Sequence, residues 1–507
     1  MATATGFLDR SNEGDDRMKT HRRLGGVRSA GQLPALLGMV LLIGLVAACD
    51  FMDPTAVENP RTTADDLAQA EEPVRALMPG LRAQFARMIG SQVVISEVAS
   101  DNYSIHGTGL SGVWDNPRSV SPTDMNSTGF ATGIYWNTQE MRAFADFILD
   151  DIAPGDESAS DSNLAEAHYY RGMAYLLQGE NFTHVPTERD AAPRPAAELL
   201  ERALSNLDAS LALAPGGDFA MAARAAIARV HRALGSGGPA VQAAEQVLAA
   251  DPDFLFQQLF DGSTIENQPH IFLVVRALKE MQPLPRLDFL DPKYLSREAG
   301  IAVAKAEEMH LILAEAALAG GNLPQARTHL ADAIQLALDR GTTPFVDDDE
   351  RLNADLTERP RSSDLLIAAD PASPPRAGLV LDRPGVEIPI PTISGTSLDP
   401  DSVLALEGAE ETWHAFHLAR QEILFLEGRR MSDMGIRLPM MLREIDQNAA
   451  IDDGSPGTVG VVPDYIPSGT DINRFDPASP GPDDTVVTMR YDVNRILAQN
   501  QVSPFLN

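Results

Sequence analysis

Small and apolar residues recur along this chain at helical spacings, in blocks that come in pairs separated by short Gly-rich breaks. In "EMHLILAEAALAGGNLPQARTHLADAIQLAL", Leu313, Ala314, Ala317, Ala326, Leu330 and Ala333 fall where two antiparallel helices can pack closely around a Gly-Asn-Leu-Pro turn. In "AAIARVHRALGSGGPAVQAAEQVLAA", Ile227, Ala228, His231, Ala240, Ala244 and Val247 repeat the same offsets around a second Gly-rich turn. A third hairpin opens with "LAEAHYYRGMAYLLQGE", using Gly172 and Tyr175, and closes with "PAAELLERALSNLDASLALA" after the insertion "NFTHVPTERDAAPR". The pattern predicts tetratricopeptide (TPR) hairpins near 164–213, 219–250, 303–340 and 412–447.

The fourth pair contains "RQEILFLEGRRMSDM", residues 420–434. Its spacing predicts a helix with Arg420, Glu427, Arg430 and Asp433 on one stripe and Gly428 in mid-pattern, where it costs roughly 1 kcal/mol relative to Ala. Beside Ile423, Leu424 and Leu426, that stripe suits a scaffold helix in which Glu427 and Asp433 hold Arg430. An Arg between two acids would lower their pKa values, which argues against a catalytic carboxylate pair. Residues 90–130, 255–300, 342–410 and 450–507 are rich in Gly, Pro, Asp, Ser and Thr without sustained helical periodicity. They read as long ordered loops with short strands, inserted into one intertwined domain.

The N-terminus follows different rules. Lys19, Arg22, Arg23 and Arg28 precede the apolar run "LPALLGMVLLIGLVAA", short for a membrane span and the right size for a signal-peptide core. Residues 1–48 are expected to be a signal peptide, with translation starting at Met18, because four acids precede that Met. The run ends in "VAAC", which resembles the lipobox of bacterial lipoproteins; Cys49, the sole cysteine, is then the lipidated first mature residue. Residues 49–65 read as a polar tether and 66–507 as the folded domain.

Composition narrows the function classes. The 507 residues are 44% hydrophobic and 22% charged, as a globular protein with a sizeable core requires. Net charge is −32, so nucleic acid and bare anionic membrane surfaces would be repelled. With Cys49 acylated, no disulfide is available, and the fold must rest on packing.

A lipobox, TPR hairpins split by long insertions, and the late motif Arg-Gln-...-Leu-Phe-Leu-Glu-Gly-x-Arg-x-x-Asp together resemble the SusD/RagB family of outer-membrane nutrient-binding lipoproteins. "GIYWNTQEMRAFADFIL", "GENFTHVPT" and "AEMHLILAEAALAGGN", the last with Glu308 read as inserted, are similar to further family segments in the same order. The sequence departs from the family at Ala419 and Ile423, where members carry acids, and in "ADAIQLALDRG" after the third hairpin.

The resemblance implies a mainly α fold, a TPR-like α-α superhelix with long inserted loops and few short strands. It also implies a lipid-anchored, cell-surface protein of the outer membrane that binds a glycan-like or peptide-like nutrient oligomer and delivers it to a SusC-like TonB-dependent transporter. No catalysis, cofactor, metal or nucleic-acid partner is implied. Asp50 bears on the membrane, since in some bacteria an acid at that place retains lipoproteins at the inner membrane.

Sugar binding needs aromatic platforms with polar groups beside them, in loops rather than TPR helices. "SDNYSIHGTGLSGVWDNPR" offers Asp101, Asn102, Tyr103, Trp114, Asp115 and Arg118 as ligand-binding candidates; Tyr294 and Phe289 are weaker ones. "GTGLSG" opens no helix that could face a phosphate, His414 and His417 lack a third ligand, and "VDDDE" is no calcium loop. A TPR scaffold lipoprotein that binds only protein partners is the alternative reading, and a hydrolase a third.

Overall fold

The computed structural model describes residues 71–105, 112–126, 133–275, 280–346, 365–381, 383, 385–468, 472–478 and 485–506. Cys49, the signal segment, most of "GTGLSG" and most of "VDDDE" lie outside them.

Helix α1 (Pro73–Val98) starts on a proline, which lacks only an N–H that would be unsatisfied there anyway. It is buried along most of its length, and from Met88 to Val98 even Ser91, Gln92, Ser96 and Glu97 lie inside beside the apolar residues. Strand β1 (Tyr103–Ile105) follows, then helix α2 (Ile134–Asp146).

Three hairpins come next. They are α3 (Asp161–Asn181) with α4 (Ala196–Leu213), α5 (Asp218–Ala233) with α6 (Gly237–Ala250), and α7 (Ala306–Ala319) with α8 (Leu323–Asp339). Ser160 caps α3 by accepting from the Asn163 N–H at 3.2 Å, and Asn322 caps α8 in the same way. Strands β2 (His184–Val185) and β3 (Arg194–Pro195) close the insertion between α3 and α4.

Successive hairpins stack through α4 on α5 and α6 on α7, with Ala203, Ala228, Ala240, Ala244, Ala314, Ala326 and Ala333 buried where backbones approach. The described chain is therefore mainly α, a TPR-like helical frame with long inserts.

The inserts are tied to one another by small sheets. β4 (Leu255–Gln258) pairs antiparallel with β6 (Ile301–Lys305), pinching off the insert between them, and β1 reaches into that insert to pair with β5 (Met281–Pro283). β7 (Thr343–Val346) pairs with β9 (Glu387–Ile390). β8 (Leu366–Ala368), β10 (Phe475–Ala478) and β11 (Val486–Met489) form a three-stranded sheet in which β11 is central. Among the described residues no helix is long and apolar enough to cross a membrane.

The fourth pair differs from the expectation. Helix α9 (Pro400–Leu404) precedes α10 (Ala409–Ile423), which stops where the sequence pattern runs on; α11 (Arg430–Asp433) and α12 (Leu442–Gln447) are short, and α13 (Val493–Gln499) packs against α10 instead. The break lies at Leu426 and Gly428, both at positive φ, 56° and 73°. Gly428 is thus not a weak point inside a helix. A Cβ there would stand 2.8 Å from Gln92 Cγ and 3.3 Å from the Val93 nitrogen, so the turn is pressed against α1, where Gln92 donates to the Gly428 carbonyl at 2.8 Å.

Because the helix ends, the charges pair differently from a single stripe. Arg420 makes a two-pronged bond to Asp433 at 2.9 Å, Arg430 donates to Asp101 at 2.6 and 2.8 Å, and Glu427 accepts from Lys293 and Lys305 at 2.6 Å each. Arg429 grips Glu308, and Arg232 of α5 reaches both Glu315 of α7 and Asp433 of α11. All these groups are buried, so desolvated pairs tie α5, α7, the loop after α1 and the insert holding Lys293 to the turn and α11. Burial alone would raise the Asp433 pKa, but Arg420 and Arg232 outweigh it and hold the carboxyl well below its ordinary value. Lys293 moves the other way: burial pushes it down to about 8 against the pull of Glu427.

Candidate functional site

The loop residues singled out by sequence sit mostly in the interior. Asp101, Asn102, Tyr103, Trp114 and Asp115 are buried, Trp114 at 1% exposure. Asp101 takes the Arg430 guanidinium and a 3.0 Å bond from Gln421, whose amide also donates to Asn102 Oδ1 at 2.7 Å. Asn102 donates to Glu97. The Tyr103 hydroxyl donates to Asp291 at 2.9 Å while its ring stacks on Phe425 at 5.9 Å. Asp115 accepts from the Ile105 N–H, Asn473 and Arg474.

Arg118 is exposed, and it donates to the carbonyls of Val462, Pro463 and Ile466, lacing its loop to a distant one. Tyr294 is buried and donates to the Leu426 carbonyl; Phe289 is half-buried against the core. His414 meets Asp492 at 2.9 Å, and His417 is buried and stacked on Trp413.

An open cleft of about 400 Å³ lies elsewhere, between α2, the loop 186–190 and α12. Helix α2 buries Ile134, Tyr135, Thr138, Met141 and Ala145, a regular inward stripe. Trp136 falls off that stripe and is 39% exposed, large for an indole with no core to enter.

Its Nε1–H donates to Glu140 at 2.9 Å, one turn on, which fixes the ring's edge. The Arg443 guanidinium of α12 stands 5.7 Å from the ring centroid, within cation–π range. The walls are braced against each other. Gln139 donates to the Pro186 carbonyl at 3.0 Å, the Leu442 N–H to the Pro122 carbonyl at 2.9 Å, and Asn448 to the Ala191 carbonyl at 2.9 Å.

Charge in the cleft is nearly balanced: Arg142, Arg189 and Arg443 face Glu140, Glu188, Asp190 and Glu444. In a chain carrying −32 overall, this balance removes the strong preference for cations that the rest of the surface would impose. The arrangement offers a flat apolar face ringed by donors and acceptors, and no nucleophile paired with a base. Sequence reasoning passed over Trp136 because it weighed aromatics in loops. The available signal was a lone Trp out of register with its helix's buried positions.

Helical hairpins carry inserts that are pinned by small sheets, and a polar-rimmed cleft with an exposed indole opens between α2, the loop 186–190 and α12. No protein-family model matches the sequence, and no curated protein sequence does. Solved structures do resemble it.

A SusD superfamily protein from Bacteroides fragilis aligns at a TM-score of 0.50 and 15% identity, over 76% of this chain and 99% of that one. A SusD superfamily protein from Bacteroides vulgatus aligns at 0.48 and 12%, over 76% and 91%. A SusD-like carbohydrate binding protein from the same organism aligns at 0.47 and 12%, over 71% and 82%. The fold of this chain is SusD-like.

Proposed function

We propose that this protein is a member of the SusD/RagB family: a lipoprotein anchored through Cys49 in the outer membrane, exposed at the cell surface. It captures a nutrient oligomer and delivers it to a SusC-like TonB-dependent transporter. The lipobox-like "VAAC", the ordered family-like segments and the SusD-like fold support this reading together. We place capture at the cleft of Trp136 rather than among Asp101, Asn102, Tyr103, Trp114, Asp115 and Arg118. The polar groups of Asp101, Asn102, Tyr103, Asp115 and Arg118 are committed to the internal partners described above, and Trp114 is buried.

The observation that carries the ligand class is Trp136 beside Arg443 in a charge-balanced rim. An indole face stacks on the apolar face of a sugar ring, and paired carboxylates and guanidiniums bond neutral hydroxyls without demanding a charged ligand. A glycan-like oligomer fits that chemistry better than a peptide of strong charge. Titrating the full chain with short neutral oligosaccharides of glucan, xylan, mannan and galactan type tests it. At least one should bind, and Trp136→Ala should weaken it by roughly ten-fold, the measure of one lost ring stack. Equal affinity in wild type and variant, or binding confined to peptides, would overturn the assignment.

A further inference from the structure

Three side chains on the α7–α8 hairpin, apart from the cleft residues, converge in a way the helical frame alone does not require. His310 lies on α7; His329 and Asp332 lie on α8, three residues apart and so on one face. The hairpin turns His310 toward that face, with its Nδ1 3.8 Å from Asp332 Oδ2 and its ring centroid 6.1 Å from that of His329. One donor atom from each residue falls within 4.8 Å of the others. The Nδ1 atoms of His310 and His329 are both buried and without a hydrogen-bond partner. A buried imidazole nitrogen left unpaired is a cost that a bound Lewis acid would remove.

We propose that His310, His329 and Asp332 form a binding site for a borderline divalent cation of the Zn²⁺ class. Two imidazoles and one carboxylate are the donor set such ions favour, whereas Ca²⁺ and Mg²⁺ seek oxygen cages. Donors about 2.0–2.1 Å from a tetrahedral ion stand roughly 3.4 Å apart. Side-chain rotation of about 1 Å from the separation seen here therefore closes the site. Asp332 supplies that freedom, being half-exposed.

Three protein ligands leave a fourth position for water or for a group from outside. The ion would bridge α7 to α8, and the carboxylate of Glu245 on α6 adds a favourable field at His329. The strongly acidic chain also concentrates cations around it. Linear spacing holds no hint of this site, because His310 and His329 meet only when the hairpin closes.

The full chain, purified without a histidine tag and stripped with a chelator, is titrated with Zn²⁺ by calorimetry near neutral pH and with Co²⁺ by visible absorption. One equivalent of Zn²⁺ should bind, with a Co²⁺ ligand-field band of tetrahedral intensity, and Ca²⁺ should bind far more weakly. His329→Ala and Asp332→Asn should each weaken Zn²⁺ by at least about ten-fold and remove the Co²⁺ band. His414→Ala, which alters a histidine bonded to Asp492, should change neither. Asp332 is exposed enough that Asp332→Asn keeps the fold, which the melting temperature without metal verifies. Failure of the wild-type chain to bind Zn²⁺, binding undiminished in both variants, or a preference for Ca²⁺ would each overturn the proposal.

Discussion

Glu97, near the end of α1, is fully buried, and burial pushes its carboxyl up to about 7 in spite of bonds from Asn102 and from the Gly428 N–H. The folded state therefore holds this proton more tightly than the unfolded chain, whose carboxyl titrates near 4.5. Its stability contribution is complete below that value and is lost as pH rises through 7. Glu307 and Glu308 behave oppositely. Burial works against their charge, but Lys305 and Arg340 hold Glu307, and Arg429 holds Glu308, at about 2, so their contribution is lost only in acid. The two windows do not overlap. Urea unfolding of wild type and Glu97→Gln at mildly acidic and mildly alkaline pH isolates the upper one. Wild type should lose on the order of 1–3 kcal/mol relative to the variant across that interval. Parallel pH slopes would show that Glu97 is already ionised in the native protein.

The same neighbourhood shows why single residues were the hardest features to read from sequence. Asp101 and Arg430 are 329 positions apart, and Gln421 lies 320 from Asp101. A polar and aromatic run after a helix is equally suited to a ligand surface and to a buried network; only the fold brings up the partners that decide. Trp136 is the converse case, since an aromatic inside a helix passes for core until the register of its neighbours is counted.

At the scale of elements, hairpin periodicity was legible because small residues at close contacts leave a local trace. Gly172 and Gly179, one heptad apart on α3, meet α4 where added Cβ atoms would stand 2.9 Å from Leu207 Cγ and 2.7 Å from Leu200 Cγ. Both glycines lie inside a helix, where Ala is favoured by about 1 kcal/mol on propensity alone. Overpacking should override that preference. Gly172→Ala is expected to destabilise by about 1–3 kcal/mol in chemical denaturation, and a stabilised variant would mean that α3 and α4 are packed less closely than described.

The end of α10 was not legible in the same way. Apolar and charged residues continue in helical register past Ile423, and nothing local shows that Gly428 turns with positive φ against α1. The sequence also could not reveal which strands pair, since β1 with β5 and β8 with β11 join inserts far apart in the chain.

For the whole molecule, frame and inserts divide the work. Desolvated ion pairs such as Arg232 with Glu315 and Asp433, and Arg429 with Glu308, fix the hairpins to one another and to the turn after α10. The loop 186–190, closed by β2 and β3, and the outward face of α2 are then free to vary in side-chain chemistry at the cleft without loosening the frame. The proposed role in uptake requires a pore beside the protein, which makes the transporter partner its central claim. Isolating the full chain from its native membranes and identifying by mass spectrometry what accompanies it tests that claim most directly. A large TonB-dependent outer-membrane barrel should be recovered in comparable amount, whereas recovery of only inner-membrane or periplasmic proteins would contradict a role in nutrient delivery.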